Sequence, residues 1–349
     1  MIILTTLSTL LAIIIYILQP YISYLRNEDV KYNLNHLLTR RKTRAKAKQR
    51  KDLREDLRED LRKDLRKDLR KDLRKDLRKD LCIVIPAYNE EERLPSTLKE
   101  TSEYLDASKE LEGVDVGVIV VDDGSKDGTC EVVRSWAKEL DGGSKISSVG
   151  LCSHVENAGK GAAIKSGCMC SGEGSYMLML DADGATEVQE IGRVWEVMMS
   201  MEGGGGGSGR VVVGSRAWMK EESRATRTLL RTVLMHAFHA FVSVLVSRRI
   251  NDTQCGFKLF DDESKRGGVE GMHLKRWAFD VEVIVRCEIL GYELKEVPVR
   301  WEEVEGSKLT EEGFAGLVKN GVGMLRDMIC VRLCYLSGGW KVGERGKGD

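Results

Sequence analysis

Residues 1–25 carry no charged side chain, and the run MIILTTLSTLLAIIIYILQPYISYL is apolar over most of its length. A bilayer-crossing helix needs about 20 apolar residues, so the run predicts an N-terminal transmembrane helix with Pro20 near its end. A cleaved signal peptide is the competing reading. The segment has no basic start and no small-x-small cleavage site, which favours an uncleaved signal anchor. From Lys51 to Asp80 a tetrapeptide close to Lys-Asp-Leu-Arg repeats, with leucine at 53, 57, 61, 65, 69, 73 and 77. A period of four drifts by about 40° per repeat on a 3.6-residue helix, so these leucines spiral and build no seam. Charges of alternating sign suit a solvated helix. The repeat reads as a spacer inside a linker spanning 26–80.

At Leu81 the pattern changes. Apolar runs LCIVIPAYNE, VGVIVVDDGS (Val116 to Ser125), a strand near Ile146 to Leu151, and YMLMLDADG (Tyr176 to Gly184) alternate with helix-like stretches at Glu91 to Leu105, Glu131 to Leu140 and from Gly161. Such alternation predicts an α/β domain, a mostly parallel sheet flanked by helices. Glu202 to Gly209 is a glycine-rich loop, followed by a strand ending at Arg216. Leu229 to Val246 is strongly apolar, yet Thr232, His236, His239, Ser243 and Ser247 fall on one narrow helical face. An interfacial helix therefore fits better there than a second span. The domain is expected to run over 81–340, with a polar tail at 341–349.

Charge changes this picture once it is divided by position. Lysine plus arginine number 55 and aspartate plus glutamate 55, so the net charge is zero. Residues 1–39 are neutral, 40–50 carry +7, 51–80 carry +3, and 81–349 carry −10. A bulk nucleic-acid binder is excluded. The basic cluster after an uncharged helix places everything beyond it in the cytosol by the positive-inside bias. The nine cysteines show no zinc spacing and read as reduced thiols, mostly in the core.

The strongest local chemical signal is Asp181-Ala182-Asp183 at a strand end. Two carboxylates one residue apart can share a hard divalent cation, which in turn neutralises a diphosphate leaving group. Asp122-Asp123-Gly124-Ser125 and Pro86-Ala87-Tyr88-Asn89-Glu90 close two earlier strands. All three loops should meet on one sheet edge, where open α/β sheets bind ligands. Acidic side chains there can accept hydrogen bonds from uracil and ribose. Gly159-Lys160-Gly161 lacks the spacing of a P-loop or a dinucleotide fingerprint, and no Ser-His-Asp set is visible.

PAYNE, VDDGSKDGT, NAGKGAAI, DADGAT, GSRA, DTQCGFKLF, RWAFDVE and EGSKL occur in that order from Pro86 to Leu309. In these motifs the chain resembles family 2 glycosyltransferases of the GT-A fold, and more narrowly the eukaryotic dolichyl-phosphate β-glucosyltransferases of the endoplasmic reticulum. The resemblance implies transfer of glucose, with inversion, from UDP-glucose to dolichyl phosphate in the membrane, for N-glycan assembly. It implies that Pro86, Tyr88, Glu90, Asp122 and Asp123 hold the uridine, that Lys160 and Asp181 also hold the nucleotide sugar, and that Asp181 and Asp183 hold Mg²⁺ or Mn²⁺. Arg216, with Arg227 or Arg231, would meet the acceptor phosphate, and Ser307 and Lys308 would close over the phosphates. Asp183, Arg216, Asp280 and Glu282 are the catalytic candidates; for the last two, a sugar-orienting role and a plain helix-start charge pair are both open. The second pKa of a phosphate monoester is about 6, so the acceptor is already ionised and no strong base is needed. Ala158 stands where the family usually has arginine. Rival readings are a mannose synthase using GDP-mannose, a processive polysaccharide synthase (whose QxxRW is met here by His273 to Trp277), and an inactive membrane-tethered scaffold. No protein partner is indicated.

Overall fold

A computed structural model describes residues 13–21, 32–33, 79–140, 142–202, 209–216, 246–247, 249–302, 304 and 313–342. Its centre is an eight-stranded sheet in the order β1-β4-β3-β2-β5-β7-β6-β8. The strands are β1 (Tyr32–Asn33), β2 (Leu81–Ala87), β3 (Val116–Asp122), β4 (Ile146–His154), β5 (Tyr176–Met179), β6 (Arg210–Ser215), β7 (Lys258–Phe260) and β8 (Glu293–Pro298). β2, β3, β4 and β5 run parallel, as do β6 and β8. β7 is antiparallel to both its neighbours, and β1 is antiparallel to β4.

β3 is buried along its whole length, and β2 at every position but Pro86. A strand covered on both faces has no polar side, which is why these segments read as unbroken apolar runs. Alternate residues feed two cores. Leu81, Ile83 and Ile85 enter one, covered by α1 (Leu94–Ala107), α2 (Thr129–Glu139) and α4 (Glu190–Ser200). Cys82 and Val84 enter the other, covered by α3 (Lys160–Cys170), α5 (Phe279–Ile289) and α6 (Gly313–Leu336). The expected α/β architecture with a mostly parallel sheet is thus present. β1, β7 and β8 were not foreseen, and the chain touches the domain ahead of the expected boundary at 81, first through β1 and again at Lys79 and Asp80. Lys79 pairs with Asp115 at 3.0 Å, and Asp80 accepts from the Asp115 N–H. At the other end Trp340 is buried.

Seven of the nine cysteines are buried, in keeping with the core positions expected for most of them; burial pushes the Cys82 thiol up to about 12. Residues 13–21 are almost wholly helical. Among the described residues no helix is long and apolar enough to cross a membrane. Most of the expected 1–25 span, the 51–80 spacer, the glycine loop and the 229–246 helix lie outside the described residues.

Candidate active site

β2, β3 and β5 are adjacent and parallel, so their carboxyl ends open on the same edge. The chain order reverses there: β3 lies on one side of β2 and β5 on the other. That switch point is where open α/β sheets form a ligand crevice. The loops after β2 and β3 are laced together. Asn89 donates its N–H to Ser125 Oγ (2.8 Å) and accepts at Oδ1 from the Lys126 N–H (2.9 Å). Asn89 has a φ of 52°, a left-handed conformation that asparagine tolerates better than most residues. Pro86 and Tyr88 sit half-buried on this edge.

The acidic residues of these loops do more structural work than the sequence suggests. Asp122 accepts from the Ser125 N–H at 3.0 Å and closes its own turn. Glu90 is gripped by Arg93 through two hydrogen bonds of 2.6 and 2.8 Å. Asp123 is 3% exposed. Its Oδ1 takes His154 Nδ1 (2.7 Å) and the Ala158 N–H (2.9 Å), and its Oδ2 takes the Gly159 N–H (2.8 Å). Asp123, expected on the uridine side, holds the loop leading into α3. Because that grip is on backbone, alanine at 158 leaves it intact. His154 Nε2 lies 2.9 Å from Ser166 Oγ, so Asp123, His154 and Ser166 form a line that the sequence did not reveal. Ser166 is buried and its hydroxyl donates to Ala162 O, which makes the line a packing device and not a nucleophile.

Gly159 has a φ of 104°, and a Cβ there would stand 2.5 Å from Lys275 O. Only glycine lets the loop turn this tightly. The turn delivers Lys160, whose Nζ reaches Asp181 Oδ1 at 2.6 Å and lies 5.9 Å from the Trp277 ring. Burial would raise the Asp181 carboxyl, but Lys160, and beyond it Lys258 and Arg216, hold it below the usual range. Asp183 goes the other way: burial and then the charge of Asp181 raise it, against the Ala185 N–H and Lys160. A half-buried carboxylate strained by a neighbouring carboxylate, both hard oxygen donors, fits a divalent cation. Among the described residues no third metal-ligating side chain joins them; the remaining positions would fall to diphosphate and water.

Three residues from the DTQCGFK motif complete the edge, though no chemistry had been assigned to them. Gly256 packs so closely that a Cβ would stand 2.1 Å from Asp181 Oδ2. Asp252 takes Arg216 through Nε (2.7 Å) and Nη2 (2.8 Å), and burial lowers neither charge: the fork holds Asp252 at about 2 and raises Arg216. The Arg216 guanidinium lies 5.4 Å from the Trp301 ring centroid. β7 runs backwards, so its first residue, Lys258, begins on the site edge. Its Nζ is fully buried and donates to Asp280 Oδ1 at 2.6 Å. Asp280 therefore stands behind Lys160 and Asp181, where burial raises its carboxyl against both lysines.

Glu282 is placed differently from the expectation. It is fully buried and accepts from the His273 and Leu274 N–H groups, His273 Nδ1 and the Tyr335 hydroxyl. These contacts hold its carboxyl low despite burial. It positions the loop carrying Lys275 and Trp277, a role the sequence did not show. Arg227, Arg231, Ser307 and Lys308 lie outside the described residues.

The geometry thus gathers a carboxylate pair, a lysine and a fork-held arginine on one edge. The family model of glycosyl transferase family 2 matches residues 82–245. The chain is 40% identical over 264 residues to a dolichyl-phosphate β-glucosyltransferase of Dictyostelium discoideum, covering 75% of this chain and 76% of that protein. The human protein of the same name is 37% identical over 268 residues, covering 76% and 79%. That of Saccharomyces cerevisiae is 32% identical over 265 residues, covering 74% and 75%. The chain belongs to the dolichyl-phosphate β-glucosyltransferases, within glycosyl transferase family 2.

Proposed function

We propose that this chain transfers glucose from UDP-glucose to dolichyl phosphate, with inversion, at the cytosolic face of the endoplasmic reticulum membrane. The observation that carries the reading is the pairing, on one edge, of Asp181 and Asp183 with Arg216. The acidic pair suits the cation of a leaving diphosphate, and the guanidinium suits an attacking phosphate. Arg216 spends its Nε and Nη2 edge on Asp252, which leaves the Nη1 side to meet the acceptor. Trp301 and Asp252 fix the plane of that fork. A phosphate oxygen of the acceptor forms a bond to the anomeric carbon from one face. The bond from that carbon to the diphosphate oxygen breaks on the other, which inverts the centre. Asp181 and Asp183 would hold Mg²⁺ or Mn²⁺, which when bound would neutralise charge on the departing diphosphate. Lys160, paired with Asp181 Oδ1 at 2.6 Å, would meet the same oxygens. Pro86, Tyr88, Glu90 and Asp122 shape the uridine side, with Asp123 supporting the loop behind it.

The uncharged run 1–25 and the seven basic residues of 40–50 support a single-pass anchor with the catalytic domain in the cytosol. The test of donor and acceptor is incorporation of label into lipid by membranes carrying this chain, given dolichyl phosphate, Mg²⁺ and either UDP-glucose or GDP-mannose. Label is expected in lipid from UDP-glucose. Label arriving only from GDP-mannose overturns the glucose assignment.

Gly256 gives a sharper check of the site. Its added Cβ would push the Asp181 carboxylate off Lys160, so Gly256→Ala should lower kcat by roughly a hundredfold, the scale of a 1 Å misplacement. The thermal midpoint should stay close to wild type, since what moves is a side-chain terminus. Retained turnover would mean that the Asp181 position is not critical.

A further inference from the structure

The outward face of α6 is apolar. Val322, Ile329, Leu333 and Leu336 recur at i, i+7, i+11 and i+14, within one narrow arc of the helix. Val322 is 50% exposed, Leu333 46% and Leu336 81%. The opposite face, with Met328, Val331 and Cys334, is already buried in the core. A surface helix normally turns polar residues outward; this one keeps them at the margins. Arg326 and Arg332 flank the stripe, Arg326 paired with Asp327 at 2.6 Å and Arg332 donating to Val246 O. With three charges among residues 326–332, α6 is unsuited to crossing a bilayer, and apolar face with cationic margins is the pattern of a helix lying in the interface.

The surroundings identify what covers the stripe. The helical stretch 13–21 belongs to the uncharged N-terminal run and lies against α6. The Arg326 guanidinium sits 5.1 Å from the Tyr16 ring centroid, and Tyr21 is 6.4 Å from Trp340. Ile13, Ile14 and Ile15 are exposed beside it. The face of α6 is therefore continuous with the uncharged N-terminal run. We propose that α6 seats the catalytic domain on the phospholipid surface, with the Val322–Leu336 stripe in the acyl-headgroup boundary and the two arginines among lipid phosphates. This rests on the reading of residues 1–25 as a bilayer anchor.

Seating α6 also places the active site. Gln254, two residues from the glycine against Asp181, donates to Met324 Sδ at 3.9 Å. Tyr335 donates to Glu282 (2.8 Å), which holds the loop bearing Lys275 and Trp277. Trp340 stacks on His273 of that loop, centroids 4.3 Å apart at 5°. A helix fixed on the bilayer thus fixes two loops of the site. The phosphate of a lipid acceptor, which lies at headgroup depth, then meets Arg216 without leaving the membrane.

The test uses the full chain in vesicles of four parts phosphatidylcholine to one part phosphatidylserine. A spin label on Leu336→Cys should be relaxed by oxygen and shielded from a water-soluble nickel chelate. Relaxation by the chelate overturns the proposal; so does shielding from both relaxants, which would mean a protein segment or a second copy covers the face. In parallel, Leu333→Glu with Leu336→Glu should raise KM about tenfold for dolichyl phosphate in vesicles, since two apolar anchors leave the interface. KM and kcat for a short, water-soluble prenyl phosphate should not change. Equal losses on both acceptors would make the face structural and overturn the proposal. If the unaltered chain uses neither acceptor, the proposed function fails, while the spin-label result still decides where α6 lies.

Discussion

Asp183→Asn is expected to lower glucosyl transfer by about a thousandfold or more, the effect of removing an electrostatic element from a transferase site. Stability should hold or rise slightly. Burial and the Asp181 charge raise the Asp183 carboxyl, so the native state binds its proton more readily than the unfolded chain does. The ionised form therefore costs stability at neutral pH, and that cost is relieved as pH falls through the raised value. Asparagine removes the charge and the cost together. The check is a lipid-transfer assay beside a thermal melt of the same preparation. Activity within tenfold of wild type would refute the cation-holding role. Lost activity with a lowered midpoint would assign Asp183 to the fold instead.

Lys258→Met should damage the fold itself. It leaves Asp280 as a buried carboxylate without its 2.6 Å partner, a loss of about 3–5 kcal/mol. For a domain of this size each kcal/mol shifts the midpoint by about 2–4 °C, so a fall of roughly 10 °C is expected. The fall should depend on pH. The Asp280 carboxyl is already raised by burial against Lys258 and Lys160, and losing Lys258 raises it further. Protonation then rescues the variant at low pH, so the deficit grows as pH rises through the raised Asp280 value. Adding Asp280→Leu should recover most of the midpoint, because two apolar residues replace a buried pair at little cost. A deficit that is flat with pH would show that Lys258 acts by packing alone.

The contrast between these two sites shows what sequence patterns can carry. Asp183 was legible because β2, β3 and β5 are buried on both faces, so each reads as an apolar run and the acidic residues at its end stand out. Lys258 was not, because β7 is three residues long and begins with the buried charge itself. Its partner Asp280 is 22 residues away, beyond any local period. The Asp123–His154–Ser166 line was missed for the same reason, its histidine lying 31 residues from its aspartate. Glu282 shows the converse. An acidic residue in the first turn of a helix resembles a site residue in sequence, and only its backbone donors reveal a clamp. In α6, apolar residues point both into the core and outward, so its hydrophobicity alone does not say which side faces which environment.

The fork between Arg216 and Asp252 has a consequence for how this family can vary. Arg216, directly after β6, is clasped by its backbone N–H and its guanidinium to the single carboxylate of Asp252, so positions 216 and 252 are fastened to each other. Closing a loop costs entropy only as the logarithm of its length, about 0.6 kcal/mol per doubling. With positions 216 and 252 fastened by charge, a change in the number of residues between them leaves the Arg216 guanidinium where Asp252 holds it.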